Sequence, residues 1–324
     1  MTIRVGLIGT GYAAHKRAEA LTATADAELV AIAGTTSRAQ SLSQAVGAKL
    51  LSWQAIAADP ELDLVIIATI NRLHAPIAEA ALKAKKHVVV EYPLAITPST
   101  AAGLIELAQT QERLLHVEHI ELLGGLHQAM RSHLSRVGKP QYVSYRTLNP
   151  KRPAPAKWSY RLDLAGFPFV AALSRIHRLT DLFGEVSQVY CQSWFNAASA
   201  AAYYSTCLCS AQLRFASGLI AEVTYGKGEN LWRYSRRVEI QGTDGSLVFD
   251  RDHGELITAQ GTTEIAVAPR HGLFTRDTAA VIHHLSYDRP LYSSAAASLY
   301  SLRVADALRQ SAESGQAVSL RAKP

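Results

Sequence analysis

Two glycines and an alanine near the N-terminus have a spacing that brings a backbone turn close to an anionic ligand. The string Gly9-Thr10-Gly11-Tyr12-Ala13-Ala14 reads GxGxxA and lies between an apolar run and an amphipathic stretch. Such a string allows a tight turn, a close backbone approach to a pyrophosphate and a small contact between helix and strand. The strand–turn–helix context weighs against a plain glycine-rich turn. We predict that residues 9–13 bind a dinucleotide.

The end of the second apolar run carries hydroxyls and a cation instead of an acid. Enzymes that use NAD usually place Asp or Glu there to bind the ribose 2′-OH. This chain has Thr36, Ser37 and Arg38, whose side chains can bind a ribose 2′-phosphate. The alternative interpretation is a helix cap at Ser37 and a solvated Arg38. The pattern favours NADPH as the cofactor, with NADH as a weaker one.

Polar residues also follow the fourth and fifth apolar runs. Ligands of an open parallel sheet lie beyond the carboxyl ends of its strands. We therefore expect a ribose or nicotinamide to lie against these residues, although Asn71 is equally suited to capping a helix. The predicted contacts are Ala68, Thr69, Ile70, Asn71 and His74 after the fourth run, and Glu91, Tyr92 and Pro93 after the fifth.

The elements that position these residues alternate along the first part of the chain. Apolar runs of four to eight residues alternate with amphipathic stretches up to the segment LLHVEH, which is typical of βαβ units. The second part instead shows short alternating strands separated by turns. The fold class is α/β: a Rossmann domain with a doubly wound parallel sheet over 1–123, then an α+β domain with a large open, mostly antiparallel sheet over 124–324.

Composition narrows the possible partners. The 324 residues carry 33 Lys and Arg against 27 Asp and Glu, and 48% are apolar. The positive residues are scattered without a DNA-binding motif, so a small anionic ligand is expected rather than nucleic acid. No apolar run reaches the roughly 18 residues of a membrane span, and no secretory signal pattern is present. We expect a cytoplasmic protein without a membrane partner and, with three cysteines, without a metal site.

The segment Glu91-Tyr92-Pro93 carries a resemblance to a known family. A Rossmann domain with this tripeptide after its fifth strand, followed by an open-sheet domain, resembles the Gfo/Idh/MocA oxidoreductases, which usually read E-K-P there and often have a cis peptide before the proline. Within that family the chain is similar to the cyanobacterial-type biliverdin reductases. The matching segments include GTGYAA, KKHVVVEYPLAIT, LLHVEHIELLGGLHQA, GFPFVAALSRIHRLTDLFG and GLFTRDT.

The resemblance implies a reaction and a substrate. The family members it points to transfer a hydride from NADPH to the central methine carbon, C10, of biliverdin, a dianionic linear tetrapyrrole, and form bilirubin. Open sheets in the family often form dimers, whereas biliverdin reductases also act alone, so a monomer and a homodimer both stay open.

Departures from the family pattern support this interpretation. Its sugar dehydrogenases carry a D-x-x-x-H pair on the helix ending in LFG, where this chain has Val170 and Ser174. Neither residue can take a proton from an alcohol, although His177 lies one turn further on. Arg175 and Arg178 share a helix face at i and i+3 and suit two propionates. One of them could also organise proton delivery, or Arg175 could be a surface ion-pair partner.

Three further residues are candidates for substrate contact. Tyr92 offers a flat face and a hydrogen-bond donor beside the nicotinamide. Glu118 and Glu121 are candidates to hold a pyrrole N–H or a cationic ring, with an exposed helix start as the alternative. Lys227 is suited either to the substrate cleft or to a turn.

Two other functions compete with the one that the resemblance implies. A sugar or cyclitol dehydrogenase and a non-catalytic nucleotide-sensing binder of the same fold are the alternatives to a biliverdin reductase.

The histidines lack metal-site spacing and are expected at the surface or at helix caps; they are His116, His119, His127, His133, His283 and His284.

Overall fold

The computed structural model describes residues 2–35, 37–197 and 203–320. These residues form two compact units, one of Met1–Leu123 with His271–Tyr300 and one of Gly124–Arg270 with Ser301–Pro324. The strands are β1 (Ile3–Ile8), β2 (Ala27–Ala33), β3 (Lys49–Leu51), β4 (Leu64–Ile67), β5 (His87–Glu91), β6 (Leu115–Glu118), β7 (Pro140–Pro150), β8 (Val186–Ala197), β9 (Tyr204–Phe215), β10 (Ile220–Gly228), β11 (Ser235–Gly242), β12 (Gly245–Asp250), β13 (His253–Thr258), β14 (Gly261–Ala266) and β15 (Val318–Ser319). The helices are α1 (Tyr12–Thr22), α2 (Ser37–Val46), α3 (Trp53–Ala58), α4 (Asn71–Lys83), α5 (Pro98–Thr110), α6 (Gly125–His133), α7 (Leu162–Ala165), α8 (Pro168–Ala171), α9 (Ser174–Phe183), α10 (Leu273–Tyr287) and α11 (Ala295–Ser314).

The first unit contains the predicted parallel sheet. Its strand order is β3-β2-β1-β4-β5-β6, and each neighbouring pair is parallel. The central strand β4 is buried at all four positions, as expected for a parallel strand with helices on both faces. The order reverses at β1, so β1 and β4 flank the crevice in which such sheets bind ligands. The prediction of a doubly wound domain is confirmed.

The second unit contains a nine-stranded sheet in the order β14-β13-β12-β11-β7-β10-β9-β8-β15. Every neighbouring pair is antiparallel except β7 with β10. Alternation along β9 buries every second side chain over most of its length, which leaves one face of the sheet toward the core. The prediction of a large, mostly antiparallel sheet is confirmed. Its strands do not follow one another as a simple meander, because β7 is inserted between β11 and β10.

Residues 271–300 differ from the predicted domain extent. The sequence interpretation assigned the whole of 124–324 to the second domain, whereas this segment packs with the first unit. Helix α10 supplies Asp277, which forms a buried ion pair with Arg17 of α1. Thr278 of the same helix accepts a hydrogen bond from Arg17 at 3.0 Å. The association rests on contacts between residues about 260 positions apart in the sequence, which no local pattern reveals.

The segment that carries Val170 and Ser174 is divided between two helices. Helix α8 begins at Pro168, whose fixed φ suits a first helical position. It ends at Ala171, and α9 starts at Ser174. Gly184 ends α9 with φ +82°, a conformation that glycine adopts without strain.

In the part of the chain that is described, no helix is both long enough and apolar enough to span a bilayer.

The buried pair of Arg17 and Asp277 yields a stability prediction. Asp277→Ala should lower the free energy of unfolding by about 3–5 kcal/mol, because it removes one of the two carboxylate partners of a buried guanidinium and leaves the facing His116 and Tyr292 without that carboxylate. The matched control is Glu79→Ala, which removes an exposed ion pair with Lys83 in α4 and should cost at most about 1 kcal/mol. Denaturant titrations followed by circular dichroism measure both values. Equal losses in the two variants would contradict the role given to the buried pair.

Candidate functional site

The turn after β1 has the geometry of a dinucleotide-binding turn. Gly9 has φ +135°, and a Cβ there would lie 2.1 Å from the carbonyl oxygen of Ala68 at the end of β4. Gly9 is therefore required by the close approach of two backbones. Gly11 is the N-cap of α1 without a side-chain cap, and a Cβ there would meet no atom within 4 Å. The N–H groups at the start of α1 are consequently open to a phosphate.

A cavity of about 420 Å³ adjoins this turn. Arg38 and Ser37, the predicted 2′-phosphate contacts, line its wall, and the first turns of α1 and α2 carry no acidic residue. Cations and hydroxyls without carboxylates suit a phosphate group. Thr36, also predicted here, lies outside the described residues. The lining residues are Thr10, Gly11, Tyr12, His15, Ser37, Arg38 and Ser41, of which His15 and Ser41 were not predicted.

Helix spacing could have revealed these two residues. His15 lies one turn after Gly11, whose carbonyl oxygen is 2.9 Å from His15 Nδ1. Ser41 lies one turn after Ser37 and donates to its carbonyl oxygen at 3.1 Å. Ala13 and Ala14 lie in the first turn of α1, and Ala14 is fully buried, as the small third position of the motif requires.

Two of the residues after β4, Asn71 and His74, are buried within the first unit. Asn71 is buried and is the first residue of α4, whose N-cap is Ile70 rather than Asn71. His74 is 1% exposed, and burial lowers the pKa of its imidazole. The neutral ring has one N–H, which fits donation from Nδ1 to the carbonyl oxygen of Pro93 at 2.8 Å rather than from Nε2 to Thr69 at 3.3 Å. His74 thus holds the backbone after β5.

Tyr92 follows β5 with a partly exposed ring. Its ring stacks on the imidazole of His119, with centroids 5.6 Å apart and planes 3° apart. His119 is held in turn by Ser298 at 2.8 Å, and its backbone N–H donates to the Tyr292 hydroxyl at 3.1 Å. The peptide bond before Pro93 is cis. The predicted flat contact surface at Tyr92 is therefore backed by a second aromatic ring.

A buried charge network lies at the carboxyl ends of β5 and β6. Arg17 has no exposed surface and donates from Nε and Nη2 to Glu91 Oε1 at 3.1 and 3.0 Å. Its Nη1 donates to Asp277, and Asp277 Oδ1 lies 2.9 Å from His116 Nε2. The guanidinium holds the pKa of Asp277 well below its usual range. Sequence reasoning singled out Glu91 but not Arg17 or Asp277.

Glu118 ends β6 within the same network. It is 2% exposed, so the alternative of an exposed helix start is wrong for this residue. Burial, followed by the negative charge of Glu91, raises its pKa well above the ordinary value. Glu121 lies in the short 3-10 turn Ile120–Leu122 and is partly exposed. A buried, neutral Glu118 can donate a hydrogen bond or a proton, whereas an ionised one could only accept.

The expectation of surface or cap positions is wrong for three of the histidines. His116, His119 and His127 are at most 1% exposed. Each has a polar partner far along the chain, and for His127 this is Asp181 at 2.8 Å. A polar partner beside each ring offsets part of the cost of burying it. A local sequence pattern cannot show them.

The arginine helix α9 of the second unit places its two candidates differently. Arg175 is partly exposed, with its guanidinium 5.1 Å from the ring centroid of Tyr225 in β10. Arg178 is only 1% exposed and donates from Nη1 to the hydroxyl of Tyr145 at 2.7 Å. Arg175 is therefore the more exposed of the two guanidiniums, and Arg178 is hydrogen-bonded to a tyrosine of the sheet.

The positions expected to lack a catalytic base do lack one. Val170 is buried in α8, and the Ser174 hydroxyl oxygen lies 3.2 Å from Arg175 Nη1. His177 is 2% exposed and bonds Ser301 at 2.7 Å. Burial lowers its pKa to about 4. The buried and anchored His177 gives no support to the alternative of a base shifted by one turn.

Lys227 lies within β10 and not in a turn. Its ammonium donates to the carbonyl oxygen of Ser159 and lies 4.5 Å from the ring centroid of Tyr160. Burial lowers its pKa, and the charge of Arg175 lowers it further. The two cations are thus electrically coupled within the second unit, and an anion placed near both would relieve their repulsion.

These features define a class of protein. A doubly wound sheet with an open helix N-terminus after a GxGxxA turn is the framework of a dinucleotide-binding enzyme. The chain belongs to the Gfo/Idh/MocA oxidoreductase family. Residues 3–119 match the family model for its NAD-binding Rossmann fold, and residues 134–320 match the model for its C-terminal alpha/beta domain.

Solved structures and curated proteins include several relatives. The structure of biliverdin reductase from Synechocystis sp. PCC 6803, in complex with biliverdin and NADP+, is 48% identical, with a TM-score of 0.94 and coverage of 96% of this chain and 99% of that chain. Biliverdin reductase A of Mus musculus is 29% identical over 57% of this chain and 59% of its own length. Inositol 2-dehydrogenase of Rhizobium meliloti (strain 1021) is 25% identical over 88% of this chain and 87% of its own length. This chain covers only part of the length of three curated relatives, namely 34%, 59% and 43% of the full relative.

The contrast between the two motif glycines yields a binding prediction. Gly11→Asn should keep the fold, since asparagine is a good N-cap and the space around the Cβ is open. Its side chain would occupy the phosphate position, so affinity for a nicotinamide dinucleotide should fall at least about tenfold. Gly9→Asn should instead destabilise the fold, because its Cβ would meet Ala68. Thermal denaturation and calorimetric titration separate the two effects. Undiminished dinucleotide affinity in folded Gly11→Asn would contradict the assignment.

Proposed function

We propose that this protein is an NADPH-dependent biliverdin reductase, which transfers a hydride to C10 of biliverdin and forms bilirubin. The observation that carries the proposal is 48% identity over nearly the full length of a structure that contains biliverdin and NADP+. The absence of an alcohol-oxidising base at Val170 and Ser174 supports it, because a sugar dehydrogenase needs such a base.

The first unit supplies the residues suited to NADPH. The open N–H groups at the start of α1 fit the pyrophosphate, and the cavity at Ser37 and Arg38 fits the 2′-phosphate. The partly exposed ring of Tyr92 offers a flat contact surface for the nicotinamide or the pigment. When bound, NADPH would supply the hydride from its nicotinamide C4.

The second unit supplies cations suited to the pigment's two propionates. Arg175 offers a partly exposed guanidinium and Lys227 an ammonium whose charge is disfavoured by burial. A propionate at this position would lower the cost of both positive charges. Arg178 contributes indirectly, since its hydrogen bond to Tyr145 fixes the helix that carries Arg175.

A spectroscopic assay tests the proposed function. The purified protein is mixed with biliverdin and NADPH, and the visible spectrum is followed. Loss of the far-red band with growth of a blue-absorbing bilirubin band supports the proposal. An unchanged spectrum together with turnover of a polyol would favour a sugar or cyclitol dehydrogenase. Binding of NADPH without turnover of either substrate would favour a nucleotide-sensing binder.

Arg175 gives a prediction for the pigment site. Arg175→Ala should lower kcat/KM for biliverdin by about tenfold to a hundredfold, as expected for one charge-assisted contact to a carboxylate. Affinity for NADPH should stay unchanged. Arg303→Ala removes an exposed guanidinium of α11 in the same unit and serves as the control. If the two variants have the same kcat/KM, Arg175 does not bind the substrate.

Arg38 gives a prediction for cofactor choice. Arg38→Ala should raise the KM for NADPH by about tenfold or more while changing that for NADH little, because only NADPH carries the 2′-phosphate. Lys49→Ala removes an exposed cation from the same unit as a control. Initial rates with each cofactor at saturating biliverdin provide the measurement. An equal rise for both cofactors would disprove the 2′-phosphate contact.

A further inference from the structure

The carboxyl ends of β5 and β6 place two glutamates side by side. Glu91 and Glu118 are register partners on these parallel strands, and neighbouring strands lie about 5 Å apart. Glu118 is 2% exposed, and the side chain of Glu91 is 14% exposed. Two carboxylates this close in a buried position cannot both ionise without a large cost, so such pairs tend to share one proton.

The groups packed against this pair determine its charge. Asp277 from α10 adds a third carboxyl, and Arg17 from α1 adds a permanent positive charge that contacts both Glu91 and Asp277. Full ionisation of three carboxyls around one guanidinium would bury excess negative charge. One carboxyl therefore holds a proton. Among the described residues, the other titratable groups near these carboxyls are His116 on β6, His119 after it, Tyr292 before α11 and His74 of α4, whose imidazole interacts with the charge of Glu91.

The hydrogen bonds identify the protonated member. Glu91 Oε1 accepts two hydrogen bonds from Arg17, which stabilises its ionised form. Asp277 accepts from Arg17 and, at 2.5 Å, from the hydroxyl of Tyr292. Glu118 instead accepts from the backbone N–H of Ile120 at 2.5 Å and lies beside Glu91 as its register partner. Glu118, the more deeply buried of the two glutamates, is therefore the neutral partner.

We propose that Glu118 is a buried proton store and that Glu91, the more exposed member of the pair, passes its proton toward the substrate. The role rests on the proposed function, in which each reduction consumes one hydride and one proton. The O–H bond of Glu118 breaks, Glu91 relays the proton, and the ring nitrogen beside C10 of biliverdin gains it. Glu118 is left as a carboxylate and takes a new proton from solvent through Glu91.

The charges around Glu118 explain why its carboxylate regains a proton after each turnover. Loss of the proton leaves three ionised carboxyls with one guanidinium, and burial opposes that state. The proton is recovered through Glu91, whose side chain has the larger exposure of the two. Arg17 is a positioning residue in this scheme, because its two hydrogen bonds hold the carboxylate of Glu91 in place.

Infrared spectroscopy of the folded protein tests the store without any turnover. Wild-type protein at neutral pH should show the C=O stretch of a protonated carboxyl. The band should vanish in Glu118→Gln, which keeps the shape and the neutral charge of the side chain. It should persist in Glu121→Gln, the control from the same segment. A band that survives in Glu118→Gln, or that is missing from the wild type, overturns the proposal.

The pH dependence of stability gives a second test. A carboxyl whose pKa is raised on folding stabilises the fold at low pH, and this contribution is lost as the pH rises through the folded-state pKa. Wild-type protein should therefore lose stability relative to Glu118→Gln as the pH rises above the ordinary range of a glutamate. Glu121→Gln should follow the wild type. Denaturant titrations over a pH series measure the difference, and parallel curves for Glu118→Gln and wild type would overturn the proposal.

Kinetics then separate the proton store from the proposed function. Glu118→Gln should lower kcat with biliverdin by about a hundredfold or more and leave the Kd for NADPH unchanged. It should also remove the pH dependence of kcat that the titration of Glu118 produces. Full turnover in Glu118→Gln overturns the store. If the wild type reduces no biliverdin, the proposed function is overturned, and the infrared band and stability curves still decide whether Glu118 holds a proton.

Discussion

The burial of Arg17 is the constraint on which the rest of the first unit depends. A guanidinium with no exposed surface must have carboxylate partners, because burying an unpaired charge costs several kcal/mol. Those partners come from β5 and α10, so one side chain of α1 joins the strand end at the predicted nicotinamide position to a helix from residues 271–300. The segment that was expected in the second domain is held in the first by this ion pair.

The same constraint decides the chemistry of the neighbouring carboxyls. Arg17 pairs with Glu91 and Asp277, while burial and the neighbouring carboxylates raise the pKa of Glu118 beside them. Glu118 is therefore the member to which the proposal assigns the proton. This differs from the sugar dehydrogenases of the family, in which the resemblance places the base on the helix that is α9 here. In this chain α9 carries Arg175 and Arg178, and the buried carboxyl group of Glu118 lies on the Rossmann sheet.

Much of the fold was predictable because the signals are local. Apolar runs and amphipathic stretches gave the strands and helices of the Rossmann sheet, and alternation gave the strands of the second sheet. The GxGxxA turn and the acid-free start of α2, both visible in the sequence, line the cavity at Ser37 and Arg38. The insertion of β7 between β11 and β10 was not predictable, because alternation shows that a strand has two faces and not which strands pair with it.

The sequence by itself determined the turn after β1, the missing base at Val170 and Ser174, and the pair of arginines on one helix, since each depends on residue type and short spacing. Only the tertiary structure decided how these residues behave. It buried Arg178 against Tyr145 while leaving Arg175 partly exposed, and it buried His116 beside Asp277. It also placed Glu118 beside Glu91 with Arg17 behind them. Burial and charge depend on partners tens to hundreds of residues away, and those partners are known only when the chain has folded.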